Sequence, residues 1–238
     1  MTFNRLAHWP RTDKLLLALV LAGIVALVAL LFLIGQPSIQ SLDETIVRML
    51  RTTESASEAI GPKWFLESAR DYTALGGYSV LMLLTSLVWL FLRLEQRRTK
   101  ARFVLAVILS GYVMSMALKE AVGRARPSVV PHLSHVERGS GSHSFPSGHS
   151  TMSTVVYVTL ALMLSELSSR RLVRAFLIVA PLSIAAAVGA SRVLMGVHYP
   201  TDVLAGWAVG LSWSLGAWLI VRRWRSTHRD PDAVEAAL

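Results

Sequence analysis

The chain has 238 residues, 53% of them hydrophobic and 16% charged, with a formal net charge of +9. That balance is too apolar for an ordinary water-soluble domain, and the long uncharged runs behind it read as a membrane protein. The absence of cysteine excludes disulfides, thiol catalysis and cysteine-ligated metals.

In chain order, six runs approach the ~20 residues that cross the hydrocarbon core of a bilayer: 15–34, 76–92, 103–118, 150–164, 172–190 and 203–221. The first follows a basic stretch, as a signal peptide would, but it is too long for the apolar part of one and no small-x-small cleavage site follows, so an uncleaved helix is expected. No internal repeat or linker divides the chain. The fold class expected is all-α: one domain over residues 1–238, a polytopic bundle of six transmembrane helices with short surface helices in the first outer loop. Lysine and arginine are denser around 5–14, 93–102, 170–174 and 222–229 than in the alternate loops. The positive-inside bias therefore puts those segments and both termini in the cytoplasm, for a multi-pass protein of the cell (inner) membrane. Most of the +9 is thereby a topology signal. Basic residues are not gathered with aromatics on a soluble face, so no nucleic-acid partner is expected.

The first outer loop, 35–75, contains Ser41-Leu42-Asp43-Glu44, which has the pattern of a capping box, and then Leu42, Ile46, Met49 and Leu50 at helical spacing. An amphipathic helix on the membrane surface is the plain expectation, with Trp64 and Phe65 anchoring a second short one at the interface. Such helices could shape an entrance for a lipid, or serve structure alone.

Four cations on the outer side, Lys119, Arg124, Arg126 and Arg192, work against the orientation bias and ask for another reason. Anion binding supplies one, since arginine's planar fork suits two phosphate oxygens and lysine serves as a point charge. Lys119 and Arg126 are two helical turns apart, about 10 Å along an unbroken helix, but Gly123 and Pro127 are expected to loosen or end it and let Arg126 fold back. Ser144-Phe145-Pro146-Ser147-Gly148-His149-Ser150 then leads directly into an apolar run. Its Pro, Ser and Gly cannot easily extend a helix backwards, which places His149 and Ser150 at a helix N-terminus, where free N–H groups and the helix dipole favour an anion. Further on, Pro200 is placed like the first residue of a helix, with Asp202 in its first turn four positions after His198. A carboxylate there can hold one ring nitrogen of His198 and leave the other free to attack.

Lys119-x6-Arg126-Pro127, Pro146-Ser147-Gly148-His149 and Ser191-Arg192-x5-His198-x3-Asp202 together resemble the three-part signature of the type 2 phosphatidic acid phosphatase (PAP2) family of membrane lipid phosphatases. No signature position departs from it. The resemblance implies catalytic roles for His198, as a nucleophile forming a phosphohistidine, for Asp202, which orients it, and for His149, the acid that protonates the leaving oxygen. It also implies that Lys119, Arg126, Ser147, Gly148 and Arg192 bind the phosphoryl oxygens. Arg124 lies outside the signature and is expected to add field only.

On this reading the chain is a lipid phosphatase that needs no metal or other cofactor, with its site on the outer face of the membrane. Its expected substrate is an isoprenyl diphosphate such as undecaprenyl diphosphate, followed by phosphatidylglycerophosphate or phosphatidic acid. Two alternatives use the same residues: a phosphotransferase that passes the group to another lipid such as lipid A, and a non-enzymatic transporter that binds anions at the basic helix end. The transporter lacks the inverted repeat and mid-membrane broken helices that such proteins often show. His132, His135 and His143 share a loop but match no familiar zinc-ligand spacing.

Overall fold

The computed structural model describes residues 9–133, 143–166 and 168–227. They form eight helices: α1 (Arg11–Leu33), α2 (Pro37–Met49), α3 (Lys63–Leu75), α4 (Tyr78–Leu94), α5 (Arg98–Val122), α6 (Gly148–Ser165), α7 (Arg171–Leu194) and α8 (Pro200–Thr227). No strand occurs among the described residues, only an isolated bridge between Arg51 and Ala59.

Four helices, α1, α5, α7 and α8, are long and apolar enough to cross a membrane. A fifth span results if α3 and α4, bent by 47° at the Gly76-Gly77 break, count as one. The difference from the expected six has a physical cause. The α4 helix has 17 residues, and α6, with 18, begins Gly-His-Ser-Thr-Met-Ser-Thr, a start too polar for a lipid-facing span. Its surroundings explain the polarity, since α6 is buried between α5, α7 and α8. There its hydroxyls turn back onto its own backbone: Thr151 Oγ1 donates to the Ser147 carbonyl at 2.9 Å and Thr154 Oγ1 to that of Ser150 at 2.7 Å. Small side chains also admit α8 closely. A Cβ on Gly206 would lie 2.8 Å from Ser150 Cβ, and one on Gly210 would lie 2.6 Å from Thr154 Cβ. Such approach is how helices gain van der Waals contact where lipid removes the hydrophobic drive.

The first outer loop differs in detail from the sequence reading. The α2 helix starts earlier, after Gln36 with Pro37 in its first turn, so Ser41 lies inside the helix and 41–44 is not a capping box. Its buried face is Asp43 and Val47, whereas Leu42 and Met49 are 54% and 69% exposed. Ile46 and Leu50 of the same spacing are partly buried against the core, so the apolar residues divide between the two faces, and a buried carboxylate joins Val47 on the inward one. Trp64 and Phe65 begin α3 and are exposed, at 65% and 40%.

The α1 helix lies along α8. At its start, buried Asp13 accepts from Arg222 Nε at 3.2 Å and lies 3.1 Å from Arg222 Nη2, in the last turns of α8. The beginning of the described chain and the end of α8 therefore share one end of the bundle. The start of α8, with the loops that precede α6 and α8, lies at the other.

Candidate active site

Four helix ends meet at that second end, and each contributes a residue singled out in the sequence. Lys119 lies in the last turn of α5, buried, with Nζ donating to the His143 carbonyl at 2.8 Å. The helix stops where expected: Gly123 adopts a left-handed conformation (φ 62°), and its N–H closes on the Lys119 carbonyl at 3.0 Å. The chain then turns back, and Arg126 Nη1 donates to the Val197 carbonyl at 3.1 Å.

The segment before α6 is pinned to this turn. Ser144 N–H donates to the Arg124 carbonyl at 2.7 Å and its hydroxyl to that of Ala125 at 2.9 Å. Phe145 is fully buried, and the peptide bond to Pro146 is cis. Ser147 is the N-cap of α6, its hydroxyl accepting from the Ser150 hydroxyl at 3.0 Å and from the Ser150 N–H at 3.4 Å. Gly148 follows at the first helical position. A Cβ there would lie 3.5 Å from Lys119 Cε and 2.7 Å from the Tyr78 hydroxyl, so only glycine leaves the α6 amides open to a ligand beside Lys119. His149 comes next, its ring centroid 6.2 Å from that of Tyr78 and within electrostatic reach of Arg192, His198, Arg126 and Lys119.

Arg192, buried in the last turn of α7, donates through Nη1 to Thr73 Oγ1 at 3.4 Å, and Thr73 Oγ1 is 2.8 Å from Ser191 Oγ. Its Nε is buried without a hydrogen-bond partner among the described residues. His198 lies just before α8 and is 2% exposed. Its Nδ1 is 3.6 Å from Asp202 Oδ2, beyond a direct hydrogen bond but on the edge of the ring that the carboxylate faces. The same Oδ2 accepts from the Tyr199 N–H at 2.8 Å. Burial first, and then the charges of Arg192, Arg126 and Lys119, push the His198 imidazole well below its ordinary value, so it is neutral at neutral pH.

The structure thus gathers Lys119, Arg126, Ser147, Gly148, His149, Arg192, His198 and Asp202 at one end of the bundle. Lys119 Nζ and Arg126 Nη1 donate to carbonyls and Arg192 Nη1 to a hydroxyl. An open helix N-terminus, three cations and a neutral imidazole can hold a phosphoryl group and attack it.

Sequence reasoning missed other members. Arg124, expected only to add field, forms ion pairs with Asp202 Oδ1 at 2.7 Å and Asp43 Oδ2 at 2.8 Å, and its guanidinium covers the Tyr199 ring at 4.4 Å. Burial alone would lower its pKa, but the two carboxylates more than offset this and hold it above the ordinary value. Tyr78 and Thr73 come from the α3–α4 region, where nothing local sets them apart. Among the loop histidines, His132 Nε2 is 2.8 Å from the Pro127 carbonyl, His143 Nε2 is 3.8 Å from Glu120, and His135 lies outside the described residues. No cluster of three or more potential metal ligands occurs among the described residues.

Comparison with known proteins identifies the family. Residues 99–226 match the PAP2 superfamily, and the chain belongs to it. It is 33% identical over 178 residues to phosphatidylglycerophosphatase B of Bacillus subtilis, covering 73% of this chain and 80% of that one. Over 118 residues it is 36% identical to the lipid A 1-phosphatase of Rhizobium johnstonii, covering 46% of this chain and 42% of that one. Its fold is similar to the crystal structure of the transmembrane PAP2 type phosphatidylglycerolphosphate phosphatase of Bacillus subtilis. That likeness has a TM-score of 0.76 at 28% identity, over 86% of this chain and 96% of that one.

Proposed function

We propose that this membrane lipid phosphatase removes a terminal phosphate from a lipid phosphate through a phosphohistidine on His198. The observation that carries the reading is a buried, neutral imidazole with Asp202 on its Nδ1 edge, surrounded by Lys119, Arg126 and Arg192 at the N-terminus of α6. Charge on the phosphoryl oxygens is met by those three cations, the Arg192 Nε included, and by the amides around Ser147 and Gly148. Nε2 of His198 attacks phosphorus, the P–N bond forms, and the bond to the lipid oxygen breaks. His149 gives its proton to that leaving oxygen. Water then attacks phosphorus while His149 takes a proton from that water, the P–N bond breaks to restore His198, and inorganic phosphate leaves. Every charge in this sequence is met by a residue of the chain.

A phosphate monoester on a glycerophospholipid is the first substrate class, because a relative similar over 73% of this chain is a phosphatidylglycerophosphatase. The isoprenyl diphosphates favoured by sequence reasoning are to be compared with it in one assay. The helices are read as one folding unit with six bilayer-crossing segments, α4 and α6 included, since α4 to α8 run alternately between the two ends. The densely basic segments put both termini in the cytoplasm and the cup on the outer face. Exposed Leu42, Met49, Trp64 and Phe65 support a reading in which α2 and α3 lie against the headgroup region.

The test is phosphate release by detergent-purified protein in EDTA, with phosphatidylglycerophosphate, phosphatidic acid and undecaprenyl diphosphate side by side. His198→Ala should abolish release from every substrate. Undiminished release by that variant would remove the mechanism.

A further inference from the structure

Arg124 is the most heavily engaged side chain near the cup, yet it donates nothing to the phosphate position. Its Nη1 contacts Asp202 Oδ1 and Thr201 Oγ1, each at 2.7 Å, and its Nη2 contacts Asp43 Oδ2 at 2.8 Å and Gln40 Oε1 at 3.0 Å. Asp43 continues the contact around the start of α8, accepting from the Thr201 N–H at 3.2 Å and from the Thr201 hydroxyl. The side chains of Arg124, Asp43 and Asp202 are 10%, 2% and 0% exposed. A carboxylate sealed at this depth needs a counter-charge. Arg124 is the cation within hydrogen-bond distance of Asp202, and it takes Oδ1. Oδ2 is thereby left turned to the Tyr199 N–H and His198 Nδ1.

We propose that Arg124, braced by Asp43 of α2, is a positioning residue for the reaction: it fixes the Asp202 carboxylate in the one orientation that presents Oδ2 to His198. The first outer loop thereby contributes to the site through Asp43, even though no residue of α2 reaches the phosphate. Arg124 acts on turnover and not on substrate affinity, because it touches neither the phosphoryl group nor the lipid. The inference rests on the assignment of His198 and Asp202 as nucleophile and orienting carboxylate.

The test is a kinetic cycle on the full-length protein in detergent, with dioctanoyl phosphatidic acid or dioctanoyl phosphatidylglycerophosphate, whichever is turned over, as the probe. Arg124→Met should lower kcat about 100-fold with KM within about twofold, the upper end of what losing an outer-shell partner typically costs. Arg124→Lys should recover part of that loss, because it restores the charge without the fork. Asp43→Asn should cost about tenfold in kcat. Combined with Asp202→Asn, Arg124→Met should cost nothing further, since both act through the same carboxylate. A merely structural role would instead multiply the two losses and lower the unfolding temperature of each variant alike. Should Arg124→Met fail to fold, the same comparison is made with Arg124→Lys and Asp43→Asn. A folded Arg124 variant with kcat within about twofold of wild type would overturn the proposal, as would a loss confined to KM or one that multiplies with Asp202→Asn. His198→Ala in the same assay keeps the two readings apart: activity there removes the mechanism itself, while a dead His198→Ala beside an unimpaired Arg124→Met removes this inference alone.

Discussion

Burial and charge act together on His198, the proposed nucleophile. An exposed histidine is partly protonated near neutrality and cannot attack with a ring nitrogen that carries a proton. Here burial and three neighbouring cations depress the pKa of the imidazole from 6.5, so protonation requires a more acid solution and the free base persists below that value. Nitrogen-15 NMR of histidine-labelled protein in micelles, assigned by difference against His198→Ala, should show its ring still neutral at about pH 6, where an unperturbed histidine is mostly protonated. A midpoint near 6.5 would contradict this. Arg192 makes a second prediction at this scale. Its fork is oriented by the Thr73 hydroxyl at 3.4 Å, so Thr73→Val should raise KM several-fold while leaving kcat nearly unchanged, as measured by initial rates.

At the scale of elements, the site depends on how closely α6 and α8 approach. Gly206 lies against Ser150 Cβ, the Ser147 carbonyl and the Thr151 N–H, where an added Cβ would come within 2.8, 2.9 and 3.1 Å. Two of those three are backbone atoms of the first turn of α6, which cannot rotate aside. Gly206→Ala should therefore destabilise the protein by about 1–3 kcal/mol, the usual cost of overpacking. It should also lower activity, because the strain falls on the cap that exposes the Gly148 amide. Thermal unfolding in detergent beside the kinetic assay checks both; an unchanged melting temperature would mean the helices are less tightly apposed. Gly216 provides the control, since a Cβ there meets only Val20 methyls at an ordinary 3.9 Å, and Gly216→Ala should leave activity unchanged and the melting temperature no lower.

For the whole molecule, the arrangement of ends makes a topological prediction. Asp13 joins the start of α1 to Arg222 in the last turns of α8, while Asp202 lies in the first turn of that 28-residue helix, about 30 Å from Arg222 at 1.5 Å per residue, the whole helix being about 42 Å long. That is long enough to span the hydrocarbon with both tips in the headgroup regions. The chain has no cysteine, so single thiols report sidedness without background. In intact cells a membrane-impermeant maleimide should label Ala56→Cys, in the loop between α2 and α3, and should spare Ser169→Cys, between α6 and α7, until the membrane is opened. The reverse pattern would turn the cup toward the cytoplasm.

Much of the site was legible in the sequence because it is made of helix ends, and helix ends are written locally. Gly123 stops α5 after Lys119, Ser147 caps α6 ahead of Gly148 and His149, and Pro200 opens α8 with Asp202 in its first turn. Each follows from backbone freedom, a missing N–H or a capping hydroxyl, and none needs the rest of the fold. The cations Lys119, Arg126 and Arg192 stood out as well, because they oppose the charge bias that orients a membrane protein. What the tertiary structure alone decided is which groups meet across distant segments. Asp43 and Arg124 are 81 positions apart, and their contact depends on α2 packing with its carboxylate inward while Leu42 and Met49 face out. Hydrophobic spacing marked an amphipathic helix but not the carboxylate it buries, because in a membrane protein the apolar side can point to lipid, and a buried charge is acceptable wherever a counter-charge waits. The same logic hid Thr73 and Tyr78 and made the polar start of α6 the centre of the bundle, where small residues and paired hydroxyls pack better than a continuous apolar face.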